Sequence, residues 1–160
     1  MLSGIIYITH FSEMAKNDKV FEIYKQIQIA TGQGQDSLSL RIVESPVQNA
    51  YNDGMEVVIF RGLLDIMATD DEIALVLGHE TAHGMLGHLQ MLRDDSSNDD
   101  ISVLEANADK MGAFYMIRAG YDICKGRELF KYWHETQGNK LGQNHPDMSY
   151  RYDELDLNCD

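Results

Sequence analysis

The sequence predicts an α+β fold in one domain spanning 1–160, mostly helical and with a small antiparallel sheet. Three observations carry that prediction. An early stretch repeats apolar residues at helical spacing, two short segments alternate at the strand period, and helical stretches fill the second half. From Asn17 or Asp18 to Thr31, the residues Val20, Phe21, Tyr24, Ile27 and Ala30 follow a helical stripe, and Gly32 supplies a stop. Leu38, Leu40 and Ile42 alternate with Ser39, Arg41 and Val43, the pattern of a half-buried strand. Asn52-Asp53-Gly54 signals a turn, followed by a second strand from Glu56 to Phe60. Thr69-Asp70-Asp71-Glu72 reads as a capping box opening a long helix to about Leu92. The run from Arg93 to Asp100 gathers Asp94, Asp95, Asp99 and Asp100. It lacks the Gly and terminal Glu of a calcium-binding hand and reads as a solvated loop. Ser102 and Glu105 are candidate caps for a helix reaching Ala119 and closed by Gly120, and Asp122 begins another to about Gln137.

Composition narrows the function. The 160 residues carry 13 Lys+Arg against 26 Asp+Glu, a net charge of −13, which argues against nucleic acid or anionic lipid as the main partner. Cys124 and Cys159 lack CxxC spacing and read as two free or buried thiols in a reducing compartment. No signal peptide and no apolar run of about 20 residues is visible, so the expectation is a soluble, cytoplasmic chain without membrane insertion.

The chemistry concentrates in His79-Glu80-Thr81-Ala82-His83. On a helix the i, i+4 spacing turns both imidazoles to one face, where they can grip a single ion. Glu80 stands about a hundred degrees round, within reach of a water on that ion. A third ligand must come from elsewhere. A metzincin-type His fails on register, because His88 is one place early and Gly87 one place late. A cysteine upstream of the helix fails because both cysteines lie downstream. A Glu on a following helix fits Glu105, and two His with one Glu leave a position open for water.

Glu105-Ala106-Asn107-Ala108-Asp109 puts two acids on one helix face, so that one can bind metal while the other hydrogen-bonds a ligand His. Ala106 and Ala108 would let this helix pack closely. Taken alone, Glu105 and Asp109 also read as a capping residue and a surface acid. Further on, His145 precedes Pro146, which holds it extended and able to aim back at the site, with Arg151 six residues later. Taken alone, His145 also reads as a surface residue near a helix cap.

HETAH, EANAD and HPDMSYR occur in that order, and together they resemble the HExxH, ExxAD and HPxxxxR signatures of HtpX and the CAAX prenyl proteases, zinc metalloendopeptidases of the gluzincin clan. His88, in an HExxHxxxxH arrangement, and the flanking text are similar too. The resemblance covers about residues 47–155, with an N-terminal helix and first strand in 1–46. It implies a zincin-like fold with His79, His83 and Glu105 as ligands of one zinc ion, Glu80 as general base and Asp109 as the carboxylate behind a ligand. It places His145 and Arg151 in the transition-state pocket. The segment from Gln48 through Asn49, Ala50 and Tyr51 to Phe60 resembles the family's substrate-binding edge strand, where a peptide or unfolded protein could add. His10 and His134 have no family counterpart. The rival reading is a non-catalytic or latent zinc domain serving as a partner-binding or assembly component. The joint presence of Glu80, His145 and Arg151 favours catalysis.

Overall fold

The helix launched at Thr69 organises the fold. The structure, a computed structural model, describes residues 3–33, 39–93, 101–137, 147–157 and 159, with side chains described from residue 15 onward. In chain order these form α1 (Ser3–Thr31), β1 (Ser39–Val43), β2 (Ala50–Asn52), β3 (Glu56–Phe60) and α2 (Arg61–Ile66). There follow α3 (Asp70–Met85), α4 (His88–Arg93), α5 (Ile101–Arg118), α6 (Ile123–Gly126), α7 (Glu128–Gln137) and α8 (Met148–Glu154).

The capping box forms as read. Thr69 accepts from the Glu72 N–H while the Glu72 carboxylate accepts from the Thr69 N–H, so two otherwise orphaned donors at the start of α3 are satisfied. Beyond the cap, α3 is buried almost all round, as expected of a helix apolar on every side, and α1, α5, α6 and β2 pack on it. On α1 the inward stripe is Val20, Ile23, Tyr24, Ile27 and Ala30, whereas Phe21 is exposed.

The closest approach is between α3 and α5. A Cβ on Gly112 would stand 2.6 Å from the His79 backbone nitrogen, and one on Gly78 would stand 2.7 Å from the Gly112 carbonyl oxygen. Backbone therefore rests on backbone, and any larger residue at either position would force the helices apart. The sequence pointed to Ala106 and Ala108 for close packing. Ala108 is fully buried, but the glycine pair sets the separation.

The sheet departs from the expected antiparallel arrangement. Its order is β1-β3-β2, with β1 parallel and β2 antiparallel to β3. The Asn52-Asp53-Gly54 turn does make a hairpin, with the Asp53 carboxylate accepting from the Met55 and Glu56 N–H groups. That hairpin joins β3 to the short strand just before the turn, not to the earlier one, so β1 pairs on the far side of β3 in the parallel sense. The position leaves β2 as an edge facing α3.

Four further expectations are corrected. The long helix stops at Met85, because Gly87 takes φ 70° and the chain turns before restarting as α4. Only Gly and a few short polar residues adopt that backbone readily, and a sequence stripe cannot show it. Ser102 lies inside α5 instead of capping it, and the span from Asp122 to Gln137 divides into α6 and α7 at Arg127. Cys124 and Cys159 are joined in a disulfide across 35 residues, not left as thiols. That pairing depends on the return of the chain past α8, which Cys spacing does not reveal. Asp94, Asp95, Asp99 and Asp100 lie outside the described residues.

Replacing Gly112 by Ala is expected to destabilise the protein by about 1–3 kcal/mol or more through overpacking against backbone. Denaturant unfolding monitored by circular dichroism checks this, and an unchanged midpoint would mean that the two helices can part freely.

Candidate metal centre

One turn of α3 separates His79 from His83, and one turn of α5 separates Glu105 from Asp109. The glycine contact brings these two faces together, so four side chains on two helices meet. His79 Nε2 and His83 Nε2 are 3.0 Å apart, Glu105 Oε2 lies 3.5 Å from His79 Nε2, and Glu105 Oε1 lies 3.2 Å from His83 Nε2. Ligand atoms at about 2.0–2.1 Å from a tetrahedral ion would be about 3.3 Å from one another. The cluster therefore fits one small ion, with His79, His83 and Glu105 offering one ligand atom each.

Behind His79 stands a buried relay. His79 Nδ1 is 2.9 Å from Asp109 Oδ1, so Nδ1–H donates to the carboxylate and Nε2 is turned toward the cluster, where it would ligate a metal on giving up its own proton. Arg151 in turn donates from Nε to Asp109 Oδ2 at 2.7 Å and from Nη2 to Asp109 Oδ1 at 2.6 Å, and its guanidinium lies 4.4 Å from the centre of the Phe130 ring. Asp109 and Arg151 are only 4% and 5% exposed, so each charge depends on the other. Burial pushes the Asp109 carboxyl up, but the Arg151 charge and the His79 hydrogen bond bring it below the usual carboxylate range. Burial pushes the His79 imidazolium down, yet hydrogen bonds to Asp109 and Glu105 prevail and raise its pKa from 6.5 to about 9. The site thus favours positive charge where a metal would sit.

Beside His79 and Glu80 opens a cavity of about 150 Å³ with an apolar wall of Leu63, Leu75, Val76, Phe130, Trp133 and Met148. Gln48, Asn49 and Ala50 border it from the edge of the sheet, and Arg151 closes part of the floor. The Asn52 amide donates to the Glu80 carbonyl at 2.9 Å, tying β2 to α3 beside the motif.

Most of the residues singled out from sequence converge. His79, His83, Glu105, Asp109 and Arg151 form one network, and Glu80, Asn49 and Ala50 border the adjoining cavity. Tyr51 does not line the cavity; its ring lies against Phe60, with centroids 6.1 Å apart. His145 lies outside the described residues. Sequence reasoning missed the bond from Asn52 to Glu80, and it read Phe130 and Trp133 only as helix. It also missed that Arg151 directs its donors at Asp109.

The family comparison settles the wider class. The model of peptidase family M48 matches residues 14–96, just over half of the chain, a span that includes His79, Glu80 and His83. The chain belongs to peptidase family M48. Among curated relatives of this M48 chain, the mitochondrial metalloendopeptidase OMA1 of Schizosaccharomyces pombe is 33% identical over 70 residues, covering 43% of the chain and 21% of that protein. Its counterpart in Arabidopsis thaliana is 25% identical over an alignment of 134 residues, covering 66% of the chain and 28% of that protein. The M48 chain thus spans less than a third of the length of these relatives. The family match ends before Glu105, so the meeting of Glu105 and Asp109 with the α3 histidines is information from geometry.

Asp109→Ala would leave the Arg151 charge buried without its partner, at an expected cost of about 3–5 kcal/mol. Denaturant unfolding of the metal-free protein measures it, and a loss no larger than that for the exposed Lys110–Glu154 pair would contradict the reading.

Proposed function

We propose that the chain is a zinc-dependent metalloendopeptidase with a zincin-like gluzincin core. The single observation that carries this is the convergence of His79, His83 and Glu105 at ligand spacing beside Glu80 and a cleft bounded by a sheet edge. Two imidazoles and one carboxylate with an open position are the donor set of a catalytic zinc site. The three motifs shared with HtpX and the CAAX prenyl proteases and the M48 membership support the same reading.

Zinc, when bound, would polarise the scissile carbonyl and acidify the attacking water. Glu80, bordering the cavity on the neighbouring face of α3, would accept the proton of that water and pass it to the leaving amine. Asp109 would hold His79 in its ligating tautomer. Arg151 would act through Asp109 as a positioning residue, because its Nε and Nη2 are directed at that carboxylate. His145 would complete the transition-state pocket as an oxyanion donor.

The substrate would be a peptide or unfolded protein lying along β2. The Asn49 carbonyl accepts from the Phe60 N–H, so Asn49 faces β3 and the alternation of the ladder turns the Ala50 backbone groups to the opposite edge, beside the cleft. A peptide adding there would pair with Ala50 and extend a side chain into the cavity formed by Phe130 and Trp133. A bulky apolar side chain next to the cleaved bond suits that wall.

Among the described residues no helix is long and apolar enough to cross a membrane. The Cys124–Cys159 disulfide favours a compartment that preserves disulfides over the cytoplasmic placement expected from the sequence.

Metal analysis together with cleavage of an unbiased peptide library tests the assignment. Glu80→Gln should retain one zinc per chain and lose at least about a hundredfold in turnover, whereas His83→Ala should lose the metal. Zinc-loaded protein without cleavage would point instead to the latent or partner-binding domain. Within the same library, Trp133→Ala should lower kcat/KM about tenfold or more for the preferred bulky apolar residue, with little change for small ones. An equal fall for both would remove Trp133 from selectivity.

A further inference from the structure

His88 is the one residue of the extended motif that the proteolytic reading leaves without a role. Along an unbroken helix it would stand about 140° round from His83 and about 7.5 Å further on, and the two rings would not meet. The turn at Gly87, with φ 70°, changes this. The Leu86 N–H still bonds to the Ala82 carbonyl, the Gly87 N–H bonds to the Gly84 carbonyl, and α4 then starts in a new direction with His88 as its first residue. His88 is brought back beneath α3 at 3% exposure, its Nδ1 3.0 Å from His83 Nδ1 and the two rings edge to face with centroids 5.0 Å apart.

Two facing ring nitrogens at that distance can share only one proton. To ligate a metal through the atom turned toward His79 Nε2 and Glu105, His83 must keep Nε2 bare. Its proton therefore belongs on Nδ1, and His88 Nδ1 must be the acceptor, with the His88 proton on Nε2. The two ligand imidazoles are thus held differently: His79 by the carboxylate of Asp109, His83 by a neutral imidazole.

The need for such a hold is visible next to His83. A second cavity, of about 380 Å³, opens along its side between Asp53, Gly54 and Met55 on the hairpin and Gly87, Leu89 and Gln90 beyond α3. Among the described residues, the lining of that space leaves room beside the His83 ring. We propose that His88 is a positioning residue for the metal centre, accepting the His83 Nδ1 proton and thereby fixing the tautomer and ring plane that present Nε2 to the metal. The proposal rests on the assignment of His83 as a metal ligand.

Three variants of the full chain test it: His88→Phe, which keeps bulk without an acceptor; His88→Asn, whose amide oxygen falls near the position of Nδ1; and His88→Gln, whose amide lies one bond further out. The readouts are zinc affinity by chelator competition and the visible absorption of the cobalt(II)-substituted protein. His88→Phe and His88→Gln should weaken zinc binding about 10–100-fold and alter the cobalt spectrum, whereas His88→Asn should stay within about threefold of the wild type and keep its spectrum. If the Phe variant fails to fold, the Asn and Gln pair decides. Equal affinity and equal cobalt spectra across the variants would overturn the role of His88 while leaving the metal centre intact. Equal losses in Asn and Gln would overturn the acceptor geometry. A wild-type chain that binds neither metal would instead overturn the ligand assignment on which the proposal rests.

Discussion

The backbone contact between Gly78 and Gly112 is the constraint on which the site depends. A carboxylate on one helix reaches an imidazole on another only if the axes are close, and Asp109 and Glu105 have short reach. With a Cβ excluded at both glycines, the α5 backbone lies against the peptide group that begins His79, so residues one and two turns earlier on α5 arrive at the level of His79 and His83. The contact fixes where the charges meet.

From that contact a line of alternating charge runs through the core, from Arg151 to Asp109, to His79 and then to the position shared with His83 and Glu105. Each member is costly to bury alone. Asp109 offsets Arg151, and hydrogen bonds to Asp109 and Glu105 offset the desolvation of His79. The same line explains why α8 belongs to the site although it lies far along the chain. Its Arg151 is the base of the relay, and the Cys124–Cys159 link fastens the chain beyond α8 to α6.

The helical share of this arrangement was legible in the sequence. His79 with His83 and Glu105 with Asp109 each stand four apart, and periodicity alone places each pair on one face. The Thr69–Glu72 cap and the glycine stops at Gly32 and Gly120 follow the same local rules. What escaped is decided by contacts distant in sequence or by single dihedral angles. Parallel pairing of β1 with β3 depends on which strand the hairpin captures, and the Cys124–Cys159 bond depends on the course of α8. Arg151 stands out in the HPDMSYR motif, but its partner Asp109, 42 residues earlier, is visible only in the fold. Gly87 sits within a helical pattern, and only its positive φ reveals that His88 returns to His83.

The central claim is that one zinc ion is held by His79, His83 and Glu105. X-ray absorption at the zinc edge on the full, zinc-loaded chain tests it most directly. The expected result is one ion with a shell of nitrogen and oxygen at about 2.0–2.1 Å and imidazole scattering present, and in His79→Ala either weaker imidazole scattering or loss of the zinc. A sulfur shell at about 2.3 Å, or a zinc environment unchanged by that substitution, would contradict it.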